Sequence, residues 1–539
     1  MDLSPYEGRW VALVDKQVAG VGFTPEEAVY LAQRNRSKDR FLLQYVEPSG
    51  GKQLSLSPLL ERIRPFLLKQ SQPVYLVGGA VRDALLGRAS NDLDFVVPER
   101  AVRLAFRMAD YLGVPAYVLD RERDTGRVVL KDEHTTLDFA RFRGDNLEAD
   151  LRDRDFTINA MAIPATAVTS KSVIDPCQGR ADLKRGIVRP THADALQKDP
   201  LRAMRSIRIV ASFGFSMSEA AETAVFGAIP HLPTVSNERI RDEVLKLVRT
   251  SVPDEAMWQM HQLGLLTAVL PEIAALDDID QTAPHHENVL AHTLRVMRLL
   301  VDIENALFSD KDVENWALRD VRTAFADWLE PLRAHLTREV DGGVTGFTLL
   351  RLGALFHDVG KLKTQTVTET GRIRFIGHES AGSKIAAFRL RQLCVSNHGI
   401  THVRKIVQHH MRMLSLLNTR EKLSRRAVFR FFRDTGTAGI DVGLLSLADY
   451  LAVHPGVGET AVWQQFLAIV TELFQYYFER YTEVVAPPAL INGRELMQLL
   501  QIQPGPEIGR ILRLIEESQA AGDIQNQEQA IQFAKQCHQ

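Results

Sequence analysis

The sequence predicts a mixed α/β domain followed by a long all-α region, with a small α+β module at the N-terminus. Short β-branched apolar runs alternate with helical stretches up to about residue 163, whereas the later motifs lie in helical stretches. A proline-, glycine- and serine-containing run, Pro48 to Pro58, indicates a linker. The predicted divisions are the N-terminal module (1–47), the linker (48–61), the α/β head (62–163), a helical neck (164–280), a second helical domain (281–455) and a helical tail (456–539).

The overall composition places limits on partners and location. The formal net charge of −2 and the pI near 6.8 give no global basic signature, so any nucleic-acid site must be a local patch. The three cysteines lie far apart and form no CxxC pair, which is typical of a reducing cytosol. The sequence shows no signal-peptide pattern and no uncharged run of membrane-spanning length. We therefore expect a cytoplasmic protein that does not enter a membrane.

The stretch from Val74 to Val97 organises the head. An apolar run, Val74 to Val77, predicts a buried strand, and two glycines then end it before a helix from Ala80 to Leu86. A second strand, Asp92 to Val97, follows a short turn. Because strand side chains alternate between faces, Asp92 and Asp94 point the same way while the residues between and after them face the core.

Two carboxylates on one strand face are costly unless a cation lies between them. Mg²⁺ suits this arrangement, since carboxylates supply some ligands and nucleotide phosphates and water supply the rest. The Gly78-Gly79 turn opens a helix whose N–H groups favour an anion, and Arg82 can add positive charge. This combination predicts nucleotidyl transfer. The alternative is a plain turn followed by a solvated acidic strand.

The sequence GGAVRDALLG followed by NDLDFVV resembles the tRNA nucleotidyltransferase and bacterial poly(A) polymerase family, class II of the polymerase-beta-like nucleotidyltransferases. The resemblance implies that Asp92 and Asp94 are catalytic and hold Mg²⁺, and that the two glycines and Arg82 bind the nucleotide. It also implies a third catalytic carboxylate, Asp138, if the strand from Thr136 to Ala140 lies beside the first. A solvated strand acid is the alternative.

The segment from Asp150 to Ala162 resembles the ribose-reading motif of this family, RRDxxxN. Arg154, Asp155 and Asn159 match that motif and are implied to bind the nucleotide, whereas Asp153 replaces its first arginine. Without the resemblance, the segment would be interpreted as an N-capped helix with charged flanks.

A helical stretch from Lys198 to Arg208 contains a second nucleotide motif. Asp199 and Arg202 are spaced i and i+3, which makes them neighbours on one helical face and able to contact a base edge. The family motif EDxxR acts as a protein template for C or A, although Lys198 here replaces its glutamate. Arg205 and Arg208 continue the basic face and are candidates for triphosphate or tRNA-backbone contacts. The alternatives are an ordinary surface pair and solvated helix charges.

The later helices carry a second set of candidate ligands in the order H…HD…H…H…D. They are His292, His357, Asp358, His378, His409 and Asp449. Imidazoles and carboxylates on helices of one bundle suit a divalent transition metal with open positions for water. The order resembles the HD phosphohydrolase superfamily and implies phosphatase or 2′,3′-cyclic phosphodiesterase activity. A structural role for any single histidine is the alternative.

Together these resemblances imply template-independent addition of nucleotides to the 3′ end of tRNA from CTP, ATP or both. Only the short run from Gly144 to Asp150 separates the strand ending near Arg143 from the ribose motif. Family members that add CCA carry a flexible loop between the DxD strand and this motif. We therefore expect CC addition and a separate A-adding enzyme. The alternatives are full CCA addition, a poly(A) polymerase, an HD phosphohydrolase whose head is a degenerate RNA-binding module, and, least favoured, a structural protein.

Overall fold

The computed structural model describes residues 1–35, 40–131, 135–341, 343–418, 423–454 and 460–538. The chain divides into two compact units, Met1–Leu232 and Pro233–Gln539, which are described separately. The predicted boundary between residues 455 and 456 lies outside the described residues.

The first unit contains the N-terminal module, the α/β head and the start of the helical neck. Its strands are β1 (Arg9–Val14), β2 (Gln17–Gly22), β3 (Leu42–Val46), β4 (Tyr75–Val77), β5 (Asp92–Val97), β6 (Ala116–Asp120), β7 (Thr125–Leu130), β8 (Thr135–Arg141), β9 (Ala162–Pro164), β10 (Ile187–Val188) and β11 (Ser216–Met217). Its helices are α1 (Pro25–Asn35), α2 (Pro58–Leu67), α3 (Gly79–Leu85), α4 (Ala101–Leu112), α5 (Leu147–Arg152), α6 (Gly179–Arg185), α7 (Ala195–Lys198), α8 (Leu201–Phe213) and α9 (Glu219–Ala228).

The head is built on a mixed sheet in the order β6-β7-β8-β5-β4-β9. Strands β5 and β8 run parallel, and the other neighbours in the sheet are antiparallel. Leu93 and Phe95 are buried on one face, where α4 contacts β7 and β8, while Asp92 and Asp94 are exposed on the other. The mixed sheet and the predicted alternation along β5 are confirmed.

The N-terminal module is a β2-β1-β3 sheet with α1 packed against β2. Its buried residues share one hydrophobic cluster with the head. The Trp10 ring lies 5.6 Å from the Tyr75 ring, and Val77 and Val96 belong to the same cluster. Val96 lies two residues after Asp94, so the module covers the apolar continuation of the face that carries the carboxylates.

The neck helix differs from the sequence prediction of one continuous helix from Lys198 to Arg208. The chain breaks between α7 and α8, and Asp199 has an extended conformation (φ −139°, ψ 94°). The cause is Pro200, because proline disfavours helical geometry in the residue before it. Helix α8 ends at Gly214, which has the left-handed conformation (φ 67°) common after the last turn of a helix.

The second unit is mainly helical. Its helices are α10 (Asn237–Val248), α11 (Pro253–Gln262), α12 (Leu265–Val269), α13 (Pro271–Ala274), α14 (Val289–Phe308), α15 (Trp316–Ala324), α16 (Leu329–Thr337), α17 (Gly346–Phe356), α18 (Lys361–Thr364), α19 (His378–Gln392), α20 (Asn397–His409), α21 (Arg412–Asn418), α22 (Arg425–Thr435), α23 (Ala438–Val453), α24 (Ala461–Glu479), α25 (Gly493–Leu500), α26 (Pro506–Ala521) and α27 (Gln527–His538). Two short strand pairs join them, β12 (Glu339–Asp341) with β13 (Val344–Thr345) and β14 (Gln365–Val367) with β15 (Ile373–Phe375).

Helices α14, α17, α19, α20 and α23 pack against one another and form the bundle that carries the second set of candidate ligands. Helices α25, α26 and α27 form a separate cluster around Leu496, Ile511 and Ile515. Within the described ranges, no single helix has both the length and the apolar character to cross a membrane. One pair of helices, α22 and α23, meets the criteria together but is bent by 103°.

Candidate active sites

Three carboxylates meet on the exposed face of the head sheet. Strand β8 lies beside β5 in parallel register, which places Asp138 directly opposite Asp94. Asp92 lies two residues earlier on the same face, and the Thr136 hydroxyl donates a hydrogen bond to its Oδ1 atom (2.9 Å). The condition for a third carboxylate in the site, that the two strands be neighbours, is therefore met.

The electrostatics of this cluster favour a cation. Asp94 is an exposed residue of the sheet, but the protein atoms around its carboxylate remove part of its hydration. This partial removal from water, followed in importance by the negative charge of Asp138, raises the pKa of Asp94 to about 6. The positive charges of Arg154 and Arg127 lower this pKa, and the negative charge of Asp92 raises it by less than that of Asp138 does. A hard divalent cation between these oxygens would relieve the repulsion.

Arg127 is a member of this site that the sequence analysis missed. Its Nε and Nη2 atoms donate to the two oxygens of Asp138 at 2.7 and 2.6 Å, which is a bidentate ion pair. Hydrogen bonding to Asp138 raises the pKa of Arg127, so the guanidinium stays charged. The pairing depends on the register of β7 with β8, which no local motif indicates.

The turn between β4 and α3 lies against the same site. Gly78 has a positive φ of 72°, and a Cβ atom there would lie 3.3 Å from Arg154 Nη1 and 3.5 Å from Asp94 Oδ2. A Cβ atom on Gly79 would lie 3.3 Å from Arg82 Nη2. Both glycines therefore let the backbone approach charged side chains closely. Arg154 is itself held by Asp150, whose Oδ2 accepts from its Nε and Nη2 atoms (3.1 and 3.0 Å).

A chain of polar contacts links α3 to the neck helix α8. Arg82 Nη1 donates to Asn159 Oδ1 (2.7 Å), and Asn159 Nδ2 donates to Asp155 Oδ1 (3.1 Å). Arg205 Nη1 then donates to Asp155 Oδ2 (3.0 Å). Burial alone would raise the pKa of Asp155, but Arg205 and the other donors lower it to about 2. The ring of Phe213 lies 4.4 Å from the Arg82 guanidinium carbon, so it also restrains that side chain.

Asp199 and Arg202 do not share one helical face as predicted, because Asp199 precedes α8 and has an extended conformation. The buried Arg202 guanidinium instead donates to three backbone carbonyls, those of Ala195 (3.0 Å), Asp153 (3.1 Å) and Arg154 (3.3 Å). These contacts use three of the five N–H groups of an arginine. The structure thus gives Arg202 an anchoring role that sequence spacing did not indicate. Arg208 lies further along α8 and is half-buried.

In the second unit, the helical bundle brings histidines and carboxylates into one buried cluster centred on Asp358. Two groups of three share this residue, His292 with His357 and His378 with His410. Asp358 Oδ2 lies 3.3 Å from His357 Nε2, and Oδ1 lies 3.4 Å from His378 Nε2. Asp449 joins the first group, with its Oδ1 atom 3.0 Å from His292 Nε2.

The histidine ring orientations fit metal binding. The Nδ1 atoms of His357, His378 and His410 each lie 2.7–2.8 Å from the backbone carbonyl three residues earlier, so each Nδ1–H donates there. In a neutral ring that carries its proton on Nδ1, the opposite nitrogen, Nε2, has a lone pair available to a metal, and in each of these residues Nε2 points into the cluster. His378 Nε2 and His410 Nε2 lie 3.2 Å apart, and two facing lone pairs at that distance require a cation or a proton between them.

The fifth ligand position requires a correction, because the sequence analysis chose His409 and the structure places His410 in the cluster. Helix α20 ends at His409, and the next residue turns its ring inward, with its Nε2 atom 3.9 Å from Asp358 Oδ1. Burial, with the neighbouring histidines, lowers the pKa of His410 to about 3. Burial also lowers the pKa of His409, but the charges that act on His409 are those of Arg412, Asp434 and Lys405, outside the cluster. Adjacent helical residues point about 100° apart, so only one of the two could face the cluster.

Two further groups surround this cluster. Lys361 Nζ donates to Asp358 Oδ2 (2.6 Å) and to Gln281 Oε1 (2.7 Å). Burial would raise the pKa of Asp358, but Lys361 and His357 hold it well below its usual range. The His285 ring lies 5.0 Å from the His292 ring, and burial lowers the pKa of His285 to about 4. The donor set of imidazoles and carboxylates suits a divalent transition metal.

Family models match four parts of the chain. They are described as the poly A polymerase head domain (residues 74–189), a probable RNA and SrmB-binding site of polymerase A (214–276), an HD domain (338–453) and a putative tRNA nucleotidyltransferase domain 2 (479–534). The first match contains the three carboxylates of the head, and the HD match contains five of the six cluster residues of the second unit, the exception being His292.

Among curated proteins, the chain is 31% identical to an A-adding tRNA nucleotidyltransferase from Deinococcus radiodurans over 88% of this chain and 98% of that protein. It is 32% identical to a CC-adding tRNA nucleotidyltransferase from Thermus thermophilus over 85% and 92% of the two chains. A solved CCA-adding enzyme with ATP shares the fold at 21% identity, covering 90% and 96% of the two chains with a TM-score of 0.55. The chain belongs to the tRNA nucleotidyltransferase family.

Proposed function

We propose that the head transfers nucleotides to the 3′ end of tRNA and that Asp92 and Asp94 hold the Mg²⁺ it needs. The convergence of Asp92, Asp94 and Asp138 on one sheet face, with the raised pKa of Asp94, is the observation that carries this proposal. Carboxylates so close together bind a hard cation better than they tolerate one another. Membership of the family supports the reaction class, and the solved complexes of related enzymes contain ATP, CTP and tRNA.

In this reaction the oxygen of the primer 3′-hydroxyl forms a bond to the α-phosphorus of a nucleoside triphosphate while the bond to pyrophosphate breaks. Bound Mg²⁺ would supply Lewis-acid stabilisation of the negative charge that develops on the phosphoryl oxygens. Asp92 and Asp94 would provide its oxygen ligands, and Asp138 lies on the side of Asp94 away from the glycine turn. Arg82, fixed by Asn159 and Phe213, is placed to neutralise the triphosphate.

We assign nucleotide recognition to the residues around this centre. The ribose motif contains Arg154, Asp155 and Asn159. The contacts of Asn159 with Arg82 and of Asp155 with Asn159 and Arg205 support a rigid pocket wall. The remaining assignments are Gly78 and Gly79 for close backbone approach, Asp199 and Arg202 for base selection, and Arg208 for the triphosphate or the tRNA backbone. For Arg202, two N–H groups remain beyond its three contacts with backbone carbonyls.

We further propose that the product is CC and that a separate enzyme adds the terminal A. The turn after β8 is short and fastened at both ends, which leaves little chain to reorient when ATP must replace CTP. Asn146 Oδ1 accepts from the Ala149 N–H (2.9 Å), and Asp150 Oδ1 accepts from the Arg143 N–H (3.0 Å). A Cβ atom on Gly144 would lie only 2.7 Å from the Ala149 side chain, so the turn is also tightly packed.

The test uses three tRNA substrates, lacking CCA, CA or A, each incubated with CTP alone and ATP alone. CC addition requires that CTP extend the first two and that ATP fail to extend the third. Efficient conversion of the CC end to CCA refutes the restriction, and long A tails indicate a poly(A) polymerase. Asp92→Asn and Asp94→Asn should abolish every extension, and near wild-type incorporation by either variant in Mg²⁺ refutes the proposed centre.

A second candidate activity is metal-dependent hydrolysis of phosphate esters by the HD domain. The observation that favours it is the pair of Nε2 atoms, from His378 and His410, that face each other at 3.2 Å beside Asp358. Asp358 belongs to both groups of ligands, and either group could hold a divalent metal that would activate water for hydrolysis. Activity toward 2′,3′-cyclic phosphates and phosphomonoesters, tested with Mn²⁺, Ni²⁺, Co²⁺ and Mg²⁺, decides this proposal. No hydrolysis with any of these metals would refute it.

A further inference from the structure

Four side chains form one row across the head sheet. Pairing of the strands places Tyr117 opposite Arg127, Arg127 opposite Asp138, and Asp138 opposite Asp94. Residues directly opposite one another in a sheet project from the same face, so the row leads from the edge strand β6 to the proposed metal ligands. Arg127 is the cation within this row.

The ion pair of Arg127 with Asp138 restricts the carboxylate strongly. Both oxygens of Asp138 accept from the planar guanidinium, at 2.7 and 2.6 Å, so rotation of the carboxylate would break two charge-assisted hydrogen bonds. The side chains are only 33% and 20% exposed, which limits competition from water. Each carboxylate oxygen keeps a further lone pair for another partner.

The positive charge of Arg127 also acts on Asp94 and lowers the cost of holding three carboxylates together. Two effects therefore oppose each other in this site. The guanidinium weakens the attraction of the carboxylates for a metal, but it fixes where Asp138 lies relative to the metal ligands. A lysine could supply the charge, but it could not form the two parallel hydrogen bonds.

We propose that Arg127 is a positioning residue for nucleotide addition, which acts by holding the Asp138 carboxylate in a fixed place beside Asp94. This inference rests on the proposed function of Asp92 and Asp94 as the Mg²⁺ ligands. Arg127 itself need not touch the substrate. Its effect is on the rate of the chemical step, because a reacting group displaced by about 1 Å can slow a reaction by about 100-fold.

The test compares Arg127→Met and Arg127→Lys with wild type in CTP addition to tRNA that lacks CCA. We expect Arg127→Met to lower kcat by about 10- to 100-fold with little change in the KM for CTP. We expect the half-saturating Mg²⁺ concentration to fall, because the variant removes a positive charge beside the metal ligands. Arg127→Lys should recover part of kcat. Arg123→Met is the matched control, since Arg123 is 82% exposed and lies near the same strand pair.

A double-mutant cycle separates positioning from a general structural role. If Arg127 acts through Asp138, then Arg127→Met should cost little more in the Asp138→Asn background. Three results would overturn the proposal. They are losses in kcat that multiply in the double variant, a kcat of Arg127→Met equal to that of Arg123→Met, and a half-saturating Mg²⁺ concentration that rises in Arg127→Met. If Arg127→Met does not fold, as judged by circular dichroism, the same cycle with Arg127→Lys decides. Wild-type activity in Asp92→Asn would instead refute the proposed function, and with it the premise of this inference.

Discussion

Replacement of Asp155 by asparagine provides a quantitative test of the polar chain between α3 and α8. The carboxylate accepts from Arg205 and Asn159, and these donors lower its pKa from 3.8 to about 2 despite its burial. At 1.36 kcal/mol for each pKa unit, this shift is equivalent to about 2 kcal/mol of folding free energy at neutral pH. We expect Asp155→Asn to lower the free energy of unfolding by at least that amount.

The pH dependence has a definite sign. Because the pKa of Asp155 is lower in the folded state than in the unfolded state, its stabilisation is fully present above about pH 4 and is lost as the pH falls toward 2. The difference in the free energy of unfolding between wild type and Asp155→Asn should therefore be constant from pH 7 to pH 5 and fall to roughly half at pH 3. Hydrogen exchange in peptides from β4 and β5, followed at increasing urea concentrations, measures the free energy of unfolding of the first unit alone.

Glu148→Gln is the matched control, because Glu148 pairs with Arg152 on the surface, where both side chains are more than half exposed. An exposed pair of this kind contributes about 0–1 kcal/mol. The reasoning would be refuted if Asp155→Asn lowered the free energy of unfolding no more than Glu148→Gln does. It would also be refuted if the difference in this free energy between wild type and Asp155→Asn did not change between pH 5 and pH 3. In the same variant we expect a higher KM for CTP, since Asn159 links Asp155 to Arg82.

Four other predictions concern the remaining candidate residues. Asp358→Ala should abolish metal-dependent release of phosphate from 2′,3′-cyclic nucleotides while CTP addition to tRNA continues; loss of both activities would contradict the independence of the HD site. His410→Ala should lower the content of tightly bound transition metal, measured by mass spectrometry, whereas His409→Ala should not, and the reverse result would restore the sequence-based choice. Asp199→Ala should reduce the preference for CTP over the other nucleotides, as a base contact worth about 1–3 kcal/mol would, and unchanged selectivity would assign Asp199 to structure. Replacing Arg202 by alanine should reduce selectivity and also destabilise the first unit, because three backbone carbonyls each lose one hydrogen-bond donor.

The central part of the head could be predicted from the sequence because its signals are local. An apolar run, two glycines and an alternating acidic strand each specify one element, and β4, α3 and β5 form where these patterns occur. The exposed positions of Asp92 and Asp94 follow from strand alternation alone. The proximity of Asp138 to Asp94 required strand pairing, which the sequence analysis could state only as a condition.

The remaining features depend on contacts between distant residues or on small angular differences. Arg127 has no motif of its own, and its partner is set by strand register. The choice between His409 and His410 depends on which of two adjacent side chains faces inward. For Arg202 a signal was available in Pro200, because a proline there argues against a helix that includes Asp199. The i,i+3 rule applies only within a helix, so it does not describe the positions of Asp199 and Arg202 here.

The hydrophobic contact between the N-terminal module and the head has a practical consequence for any shortened form of this protein. The family match begins at residue 74, but Trp10 packs on Tyr75, and Val77 and Val96 belong to the same cluster. A protein trimmed to the matched segment would expose apolar surface on the strands that hold Asp94, and such surfaces promote aggregation. Expression of the transferase portion alone should therefore include the N-terminal module, since the compact unit Met1–Leu232 is larger than the matched family domain.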